Sequence, residues 1–241
     1  MLAGLLPVAL IQDAPDVSAE LVVPYSVIRA GETFPVGVRL DVEEPWHVYW
    51  VNPGDTGIQT RMKWYLPDGW RVSEPMFPSP KKYVDGDLVS YVHEGKVDFV
   101  VWVTVPESAR SGSSVDLKGV VSWLACIESC IPGSAEVQSL VRVGRQMIPD
   151  LGKSERLAAM RSGLPKRIDR EVRVWREGSG DFKLEVRGVS AESAFFFSES
   201  ADWVEPGAEQ MVAESNGWMT LGLKRSPYGD GKVKRLRGVL Q

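Results

Sequence analysis

The stretch Val115-Asp-Leu-Lys-Gly-Val-Val-Ser-Trp-Leu-Ala-Cys-Ile-Glu-Ser-Cys-Ile-Pro132 contains the only two cysteines of the chain, Cys126 and Cys130. From Val115 to Leu124 apolar residues alternate with polar or small ones, which is the period of a half-buried β-strand. The cysteines follow directly. We therefore expect a strand that ends at a pair of nearby thiols.

The spacing of Cys126 and Cys130 limits their geometry. In one straight strand, residues four apart are separated by about 13 Å, whereas a disulfide needs Cα atoms within about 7 Å. The chain must fold back in a helical turn or a tight loop, and Pro132 argues against a long helix. A ring this small stabilises a fold by only about 2 kcal/mol. This weakness favours a reversible redox pair, with a structural bridge, a metal site and two inert thiols as open alternatives.

Short runs rich in β-branched and aromatic residues, separated by turn residues, recur through residues 18–145. The runs are residues 21–28, 34–42, 46–51, 62–66, 97–105, 115–124 and 135–143. Residues 74–82 contain three prolines and predict an extended surface loop. Since helical periodicity is almost absent, the pattern predicts an all-β fold, an antiparallel β-sandwich of immunoglobulin-like type.

A different pattern begins after residue 145. Residues 146–167 predict a helical linker, with Ser154 as the N-cap and Gly163 to Pro165 as the stop. Residues 168–241 again contain strand-like runs and predict a second, smaller β domain. This part has neither Cys nor His, so we expect it to have a structural or docking role.

Residues 1–17 are expected to be an incomplete signal segment or a disordered start. The apolar run at residues 1–11 has the length of a signal-peptide core and is too short to span a bilayer. A first β-strand is the alternative. No later stretch reaches eighteen uncharged apolar residues, so the sequence predicts no membrane span. An exported chain would reach a compartment that permits disulfides.

The composition argues against several classes of function. A formal charge of −4 gives no general attraction to nucleic acid, and we interpret six basic residues among the last eighteen as a solvated surface. No order of catalytic Ser, His and Asp and no phosphate-binding loop is visible, which argues against a hydrolase or a nucleotide enzyme. The nine tryptophans are interpreted as core and loop anchors.

The two histidines raise the question of a metal. His47 and His93 could join the cysteines in a zinc site with two Cys and two His ligands. The three-residue gap between the cysteines is wider than the usual two, and the histidines are isolated in the sequence. We therefore predict neither a metal nor a cofactor.

The motifs around the cysteines resemble the periplasmic amino-terminal region of DsbD-type thiol:disulfide interchange proteins, particularly the ScsB-like branch. The matching pieces are Trp46-His-Val-Tyr-Trp50, Asn52-Pro-Gly-Asp-Thr-Gly57, Met76-Phe-Pro-Ser-Pro80, Leu88-Val-Ser-Tyr-Val-His-Glu-Gly95 and Trp123-Leu-Ala-Cys-Ile-Glu-Ser-Cys-Ile-Pro132. The resemblance covers residues 18–145. It extends to the second β domain through Ala194-Phe-Phe-Phe197 and Gly238-Val-Leu240.

The resemblance implies an immunoglobulin-like domain that receives electrons from a membrane-embedded partner and passes them to periplasmic thioredoxin-like proteins. Cys126 and Cys130 would be the exchanging pair of a protein-disulfide reductase type of reaction, and Cys130 would meet the partner. A cap loop with an aromatic residue shields the cysteines in this family. Tyr83 is the first candidate for that shield and Leu88 the second, and Tyr49 resembles a tyrosine near the family's disulfide.

Glu128 lies between the cysteines and has three interpretations. Its charge would disfavour a thiolate by repulsion, or its carboxylate could accept the proton of the attacking thiol. The third is a solvated loop residue.

The expected function is therefore a cell-envelope, periplasmic thiol:disulfide interchange module. This sequence contains no electron-conducting membrane segment and no thioredoxin-like domain, so we expect a separate membrane protein to supply the electrons. The alternative is a non-catalytic β-sandwich interaction protein in which the disulfide only fixes a loop.

Overall fold

The structure is a computed structural model that describes residues 15–190, 192–229 and 235–241. The apolar run of the predicted signal segment lies outside the described residues. The described chain enters the first strand at Val17.

The first part of the chain is built from twelve strands and one helix in the described residues. The strands are β1 Val17–Val22, β2 Tyr25–Arg29, β3 Thr33–Val42, β4 His47–Gly54, β5 Arg61–Tyr65, β6 Arg71–Val72, β7 Lys81–Asp85, β8 Leu88–His93, β9 Gly95–Thr104, β10 Ser114–Cys126, β11 Cys130–Gly144 and β12 Ile148–Pro149. The helix is α1, Leu151–Ser162.

These strands form two sheets that pack face to face. The smaller sheet has the order β1-β3-β9-β6, and the larger has the order β12-β2-β11-β10-β4-β8-β7, with β5 also paired to β10. The pairs are antiparallel, apart from the parallel pair β2–β11. This architecture confirms the predicted antiparallel sandwich.

Period-two alternation places the core between the sheets. Along β3, the alternate residues from Phe34 to Val42 are buried, and across the core Val48 and Val121 are fully buried as well. Fully burying a side chain of this size contributes about 1.5–3 kcal/mol. The stability of the sandwich therefore depends on these inward positions.

Helix α1 covers the outer face of the smaller sheet. Its N-cap is Asp150, whose carboxylate accepts from the N–H of Lys153 at 3.1 Å. The predicted N-cap, Ser154, lies inside the helix and donates to the carbonyl of Pro24 instead. Met160 packs over Gly37, where a Cβ would come within 2.7 Å of its sulfur. The predicted linker helix is thus packed onto the sandwich.

The Pro-rich segment is held more firmly than an open surface loop would be. Met76 exchanges two backbone hydrogen bonds with Val100, at 2.9 and 3.0 Å. Phe77 is buried, and its ring lies 4.7 Å from that of Phe99. The segment therefore anchors the start of β7, which the sequence analysis had placed within the loop.

A second group of strands follows helix α1. They are β13 Val172–Arg176, β14 Phe182–Arg187, β15 Phe196–Ser198, β16 Val212–Ser215, β17 Trp218–Leu223 and β18 Gly238–Leu240. Four form a sheet of order β13-β14-β17-β16, and β15 pairs with β18. Leu184, Val186, Met219 and Leu221 are the centre of a separate core. This agrees with the predicted second β region, while the domain boundaries at residues 145 and 168 stay a prediction.

The second group of strands contacts the sandwich beside β8. Phe197 belongs to the core of the sandwich, and its ring lies 5.0 Å from that of Tyr91. The side-chain amide of Asn52 donates to the carbonyl of Ser198 at 2.8 Å. Lys82 places its ammonium 5.0 Å from the ring centroid of Phe195. These contacts seat the second group against the β7–β8 hairpin.

Within the described residues, no helix has both the length and the apolar character needed to cross a membrane.

His93 is a buried titratable residue in the sandwich. It lies opposite Val48 in the β4–β8 pair and stacks on Phe77 with ring centroids 6.2 Å apart. Its Nε2 has no hydrogen-bond partner, and burial lowers the pKa of the imidazole to about 4. The folded protein therefore disfavours the protonated form of His93.

His93 is predicted to make the fold sensitive to acid. Above about pH 6.5 the imidazole is neutral in both states, and as the pH falls the unfolded chain binds the proton first, so stability is lost. At about pH 4.5 the loss amounts to about 2.5 kcal/mol. Urea unfolding at neutral and acidic pH, compared between wild type and His93→Leu, measures it. An equal decrease in the free energy of unfolding at acidic pH in both proteins would contradict the prediction.

Candidate functional site

The two cysteines lie at the tip of the β10–β11 hairpin. They are directly opposed in the strand register, with Cα atoms 4.2 Å apart, and a disulfide joins them. The chain folds back through Ile127, Glu128 and Ser129, so the turn is a tight hairpin loop. Strand β11 starts at Cys130 itself, earlier than the predicted run at residues 135–143.

The disulfide lies on the outer face of the larger sheet, away from the core. Along β10, Trp123 and Ala125 point into the sandwich core, so Cys126 and its alternate neighbour Leu124 point outward. Cys126 is only 2% exposed, whereas Cys130 is exposed. The two sulfurs therefore differ in their access to a partner.

Strand β4 supplies two side chains to the same outer face. His47 lies directly opposite Cys126, and Val48 lies opposite Ala125 in the core. Tyr49, two residues after His47, shares its face, and the Tyr49 hydroxyl lies 3.8 Å from the sulfur of Cys130. The His47 and Tyr49 rings meet edge to face, with centroids 5.4 Å apart.

Burial shifts the pKa values of both β4 side chains. Desolvation lowers the pKa of the His47 imidazole below its ordinary value, and the nearby carboxylate of Glu94 opposes that shift. Desolvation raises the pKa of the Tyr49 phenol, which therefore stays protonated at neutral pH. The disulfide thus faces a neutral imidazole and a neutral phenol.

The β7–β8 hairpin lays Tyr83 over this group. Tyr83 lies opposite Ser90 in the hairpin register, and Lys81 lies opposite Val92, which packs against Tyr49 and Cys126. The Tyr83 ring centroid lies 4.7 Å from that of His47, and the side chain is 37% exposed. The structure therefore brings Tyr83 together with His47, Tyr49 and the cysteines.

Leu88, the second candidate for the shield, lies elsewhere. It closes the β7–β8 hairpin opposite Asp85 and is 48% exposed. Along β8 it stands four residues from Val92, which is about 13 Å in an extended strand. Its surroundings include Gly54 and Pro206, at a groove beside the second group of strands.

Glu128 occupies the hairpin loop between the cysteines. Its side chain is exposed, and the described residues give it neither an ion pair nor a side-chain hydrogen bond. This placement is typical of a solvated loop residue.

The strand pairing separates the two histidines. His93 lies opposite Val48 and shares the inward direction of that residue, whereas His47 points outward. Within residues 15–190, 192–229 and 235–241, no group of three or more His, Cys, Asp or Glu side chains could hold a metal ion. The geometry therefore does not join the histidines in one zinc site.

His47 is the residue whose position the sequence analysis missed. Alternation over residues 46–51 places His47 and Tyr49 on one face of a strand, but the sequence gives no register between that strand and Cys126. The pairing joins segments about eighty residues apart in the chain. Only the three-dimensional structure brings them together.

The comparison with solved structures finds chains of similar fold. The N-terminal periplasmic domain of ScsB from Proteus mirabilis matches with a TM-score of 0.63 and 13% identity, over 93% of this chain and 86% of that chain. The major pilin subunit of Bacillus cereus matches with a TM-score of 0.33 and 12% identity, over 54% of this chain and 40% of that chain. A family 123 glycoside hydrolase from Clostridium perfringens matches with a TM-score of 0.26 and 7% identity, over 52% of this chain and 27% of that chain. The last two likenesses are too weak to support any conclusion.

The comparison with curated protein sequences finds no match. The sequence model of the family described as "Thiol:disulfide interchange protein DsbD, N-terminal" matches residues 16–142. That range contains both cysteines, strand β4 and the β7–β8 hairpin, and it spans more than half of the chain. The chain therefore belongs to the family of DsbD N-terminal domains of thiol:disulfide interchange proteins.

Proposed function

We propose that this chain is a cell-envelope thiol:disulfide interchange module that passes reducing equivalents to or from thioredoxin-like proteins through Cys126 and Cys130. The observation that carries the proposal is the asymmetry of the disulfide, in which Cys130 is exposed and Cys126 is 2% exposed. Exchange needs access for a thiolate to one sulfur and a leaving group at the other. The hairpin tip supplies both.

The asymmetry assigns an order to the exchange. An incoming thiolate attacks the accessible sulfur of Cys130 and forms a mixed disulfide there. The Cys126–Cys130 bond breaks, and Cys126 leaves with the electron pair. A second thiol of the partner then releases Cys130 as a thiol. The reverse sequence reduces the partner, so one geometry serves both directions of electron flow.

The compartment and the electron source belong to the same proposal. Membership of the DsbD N-terminal family and the shared fold with a periplasmic domain of ScsB support a periplasmic location. A separate membrane protein would conduct electrons to or from this chain. A disulfide between the two cysteines is also typical of an oxidising envelope compartment.

Tyr83 is proposed as the shield of the pair. Its ring lies over His47, the residue directly opposite Cys126, and it is carried by a hairpin. The ring would then limit the approach of a partner to the buried side of the disulfide, at Cys126, while Cys130 stays exposed.

Trapping tests the order of attack. Cys126→Ser leaves the exposed Cys130, which should form a stable mixed disulfide with a thioredoxin-like protein that lacks its resolving cysteine. Cys130→Ser leaves only the buried thiol and should trap far less. Non-reducing electrophoresis and mass spectrometry measure the adduct. If neither variant forms an adduct, or only Cys130→Ser does, the proposed order is wrong.

Removal of the shield should speed access to the disulfide. We expect Tyr83→Ala to raise the rate of reduction by a small thiol several-fold, because the side of the pair at Cys126 is then less covered. Leu88→Ala is the matched control, because Leu88 lies on the same hairpin and stands four residues from Val92 along β8, and it should react like wild type. A faster reaction in Leu88→Ala alone would transfer the shielding role to Leu88.

Reduction should cost the fold little, because β10 and β11 hold the hairpin by an extended ladder with or without the disulfide. The chain-entropy model gives a loss of about 2 kcal/mol in the free energy of unfolding. Urea unfolding of the oxidised and reduced protein measures it. A redox potential below about −300 mV, with no exchange partner, would instead support a purely structural disulfide.

A further inference from the structure

Cys126 must lose a proton before it can act in the exchange. The thiolate is the nucleophile, and an apolar environment disfavours the charged form of a thiol. Cys126 is 2% exposed and lies in a small cluster with Tyr49, Val92 and Leu124. The attack of Cys126 on Cys130 therefore calls for a base inside the site.

His47 is positioned to be that base. Directly opposed residues in an antiparallel pair have Cβ atoms about 4.5–5.5 Å apart and point to the same face. His47 and Cys126 are opposed in this way, so their side chains leave the sheet side by side on its outer face. The Tyr83 ring packs against the imidazole, with ring centroids 4.7 Å apart.

The other titratable groups of the site fit the role less well. The phenol of Tyr49 lies near Cys130, and burial raises its pKa, so it is not a base at neutral pH. Glu128 is exposed in the loop. Glu94 is engaged by Lys81, with 2.6 Å between the carboxylate oxygen and the ammonium.

The charge state of His47 also suits a base. Burial lowers the pKa of its imidazole, so the ring is neutral at neutral pH and can accept a proton. The ionisable groups that face it are Cys126 on β10, Tyr49 on β4, Tyr83 on β7 and the Glu94–Lys81 pair. Glu94 is the nearby negative charge that would favour the protonated ring once the proton has moved.

We propose that His47 takes the proton of the Cys126 thiol when Cys126 resolves a mixed disulfide at Cys130. The S–H bond of Cys126 breaks and its proton moves to the imidazole, while the Cys126–Cys130 bond forms. The bond from Cys130 to the partner sulfur breaks, and that sulfur leaves with the electron pair as a thiolate. In the reverse direction the imidazole takes up a proton from solvent and passes it to the Cys126 thiolate as that sulfur leaves. The inference rests on the proposed exchange function and adds a proton carrier to it.

The experiment separates the two steps with one reagent. The reduced protein is mixed with the aromatic disulfide 5,5′-dithiobis(2-nitrobenzoate), which releases coloured thionitrobenzoate. Attack by the exposed Cys130 gives a first phase that depends on reagent concentration. Displacement by Cys126 gives a second, concentration-independent phase. Only the second phase should depend on His47.

In His47→Phe, which keeps an aromatic ring against Tyr83, we expect the second phase to slow about 100-fold at about pH 7. The first phase should be unchanged. The wild-type rate should level off above the pKa of His47, whereas the variant rate should keep rising in proportion to hydroxide. His47→Asn is a second variant, and thermal unfolding confirms that both are folded.

Three results would overturn the inference. They are an unchanged rate of the second phase in both His47 variants, equal slowing of the two phases in those variants, or a slower second phase in Glu128→Gln but not in the His47 variants. The proposed function is tested separately by the thioredoxin-like adduct. If the His47 effect is present and the adduct never forms, the partner assignment is wrong, while the proton transfer within the pair is supported. If the adduct forms and the His47 variants match wild type, only this inference is wrong.

Discussion

The alternation of strand β10 is the constraint on which the site depends. Successive side chains of a strand point to opposite faces, so a strand that buries Trp123 and Ala125 in the core must turn Cys126 outward. A shift of the register by one residue would place the sulfur in the core and expose the apolar row. The core of the sandwich thereby fixes the direction of the disulfide, and the neighbouring strand β4 adds His47 and Tyr49 by the same rule.

Much of the fold follows from local sequence patterns. The alternating runs and the turn residues between them predict an antiparallel sandwich, and the helix formers near residue 157 predict helix α1. The N-cap is Asp150 rather than Ser154, because the helix starts one turn before Ser154. The Ser154 hydroxyl lies within the helix and donates to the carbonyl of Pro24. The Pro-rich segment was expected to be open, but its pairing with Val100 is a contact between distant parts of the chain.

The residues of the candidate site also fall into those that local sequence patterns identify and those that only tertiary pairing brings together. Cys126 and Cys130 stand out by composition and spacing, and Tyr83 and Tyr49 by resemblance to a family. The place of His47 required the β4–β10 register, which depends on the packing of the whole sheet. The distance between Leu88 and the disulfide likewise follows from the direction of the β7–β8 hairpin. Local patterns identify the reactive atoms, whereas their neighbours are set by tertiary pairing.

The β7–β8 hairpin makes contacts on both of its faces. Tyr83 lies against His47 on one side, and its neighbour Lys82 lies over the ring of Phe195 on the other. With Tyr83 as the proposed shield, a movement of the whole hairpin away from the imidazole would also shift Lys82 on the ring of Phe195. The contact of Lys82 with Phe195 would therefore resist that movement. In this way the second group of strands would oppose the opening of the site through residues that are distant from the cysteines in the sequence.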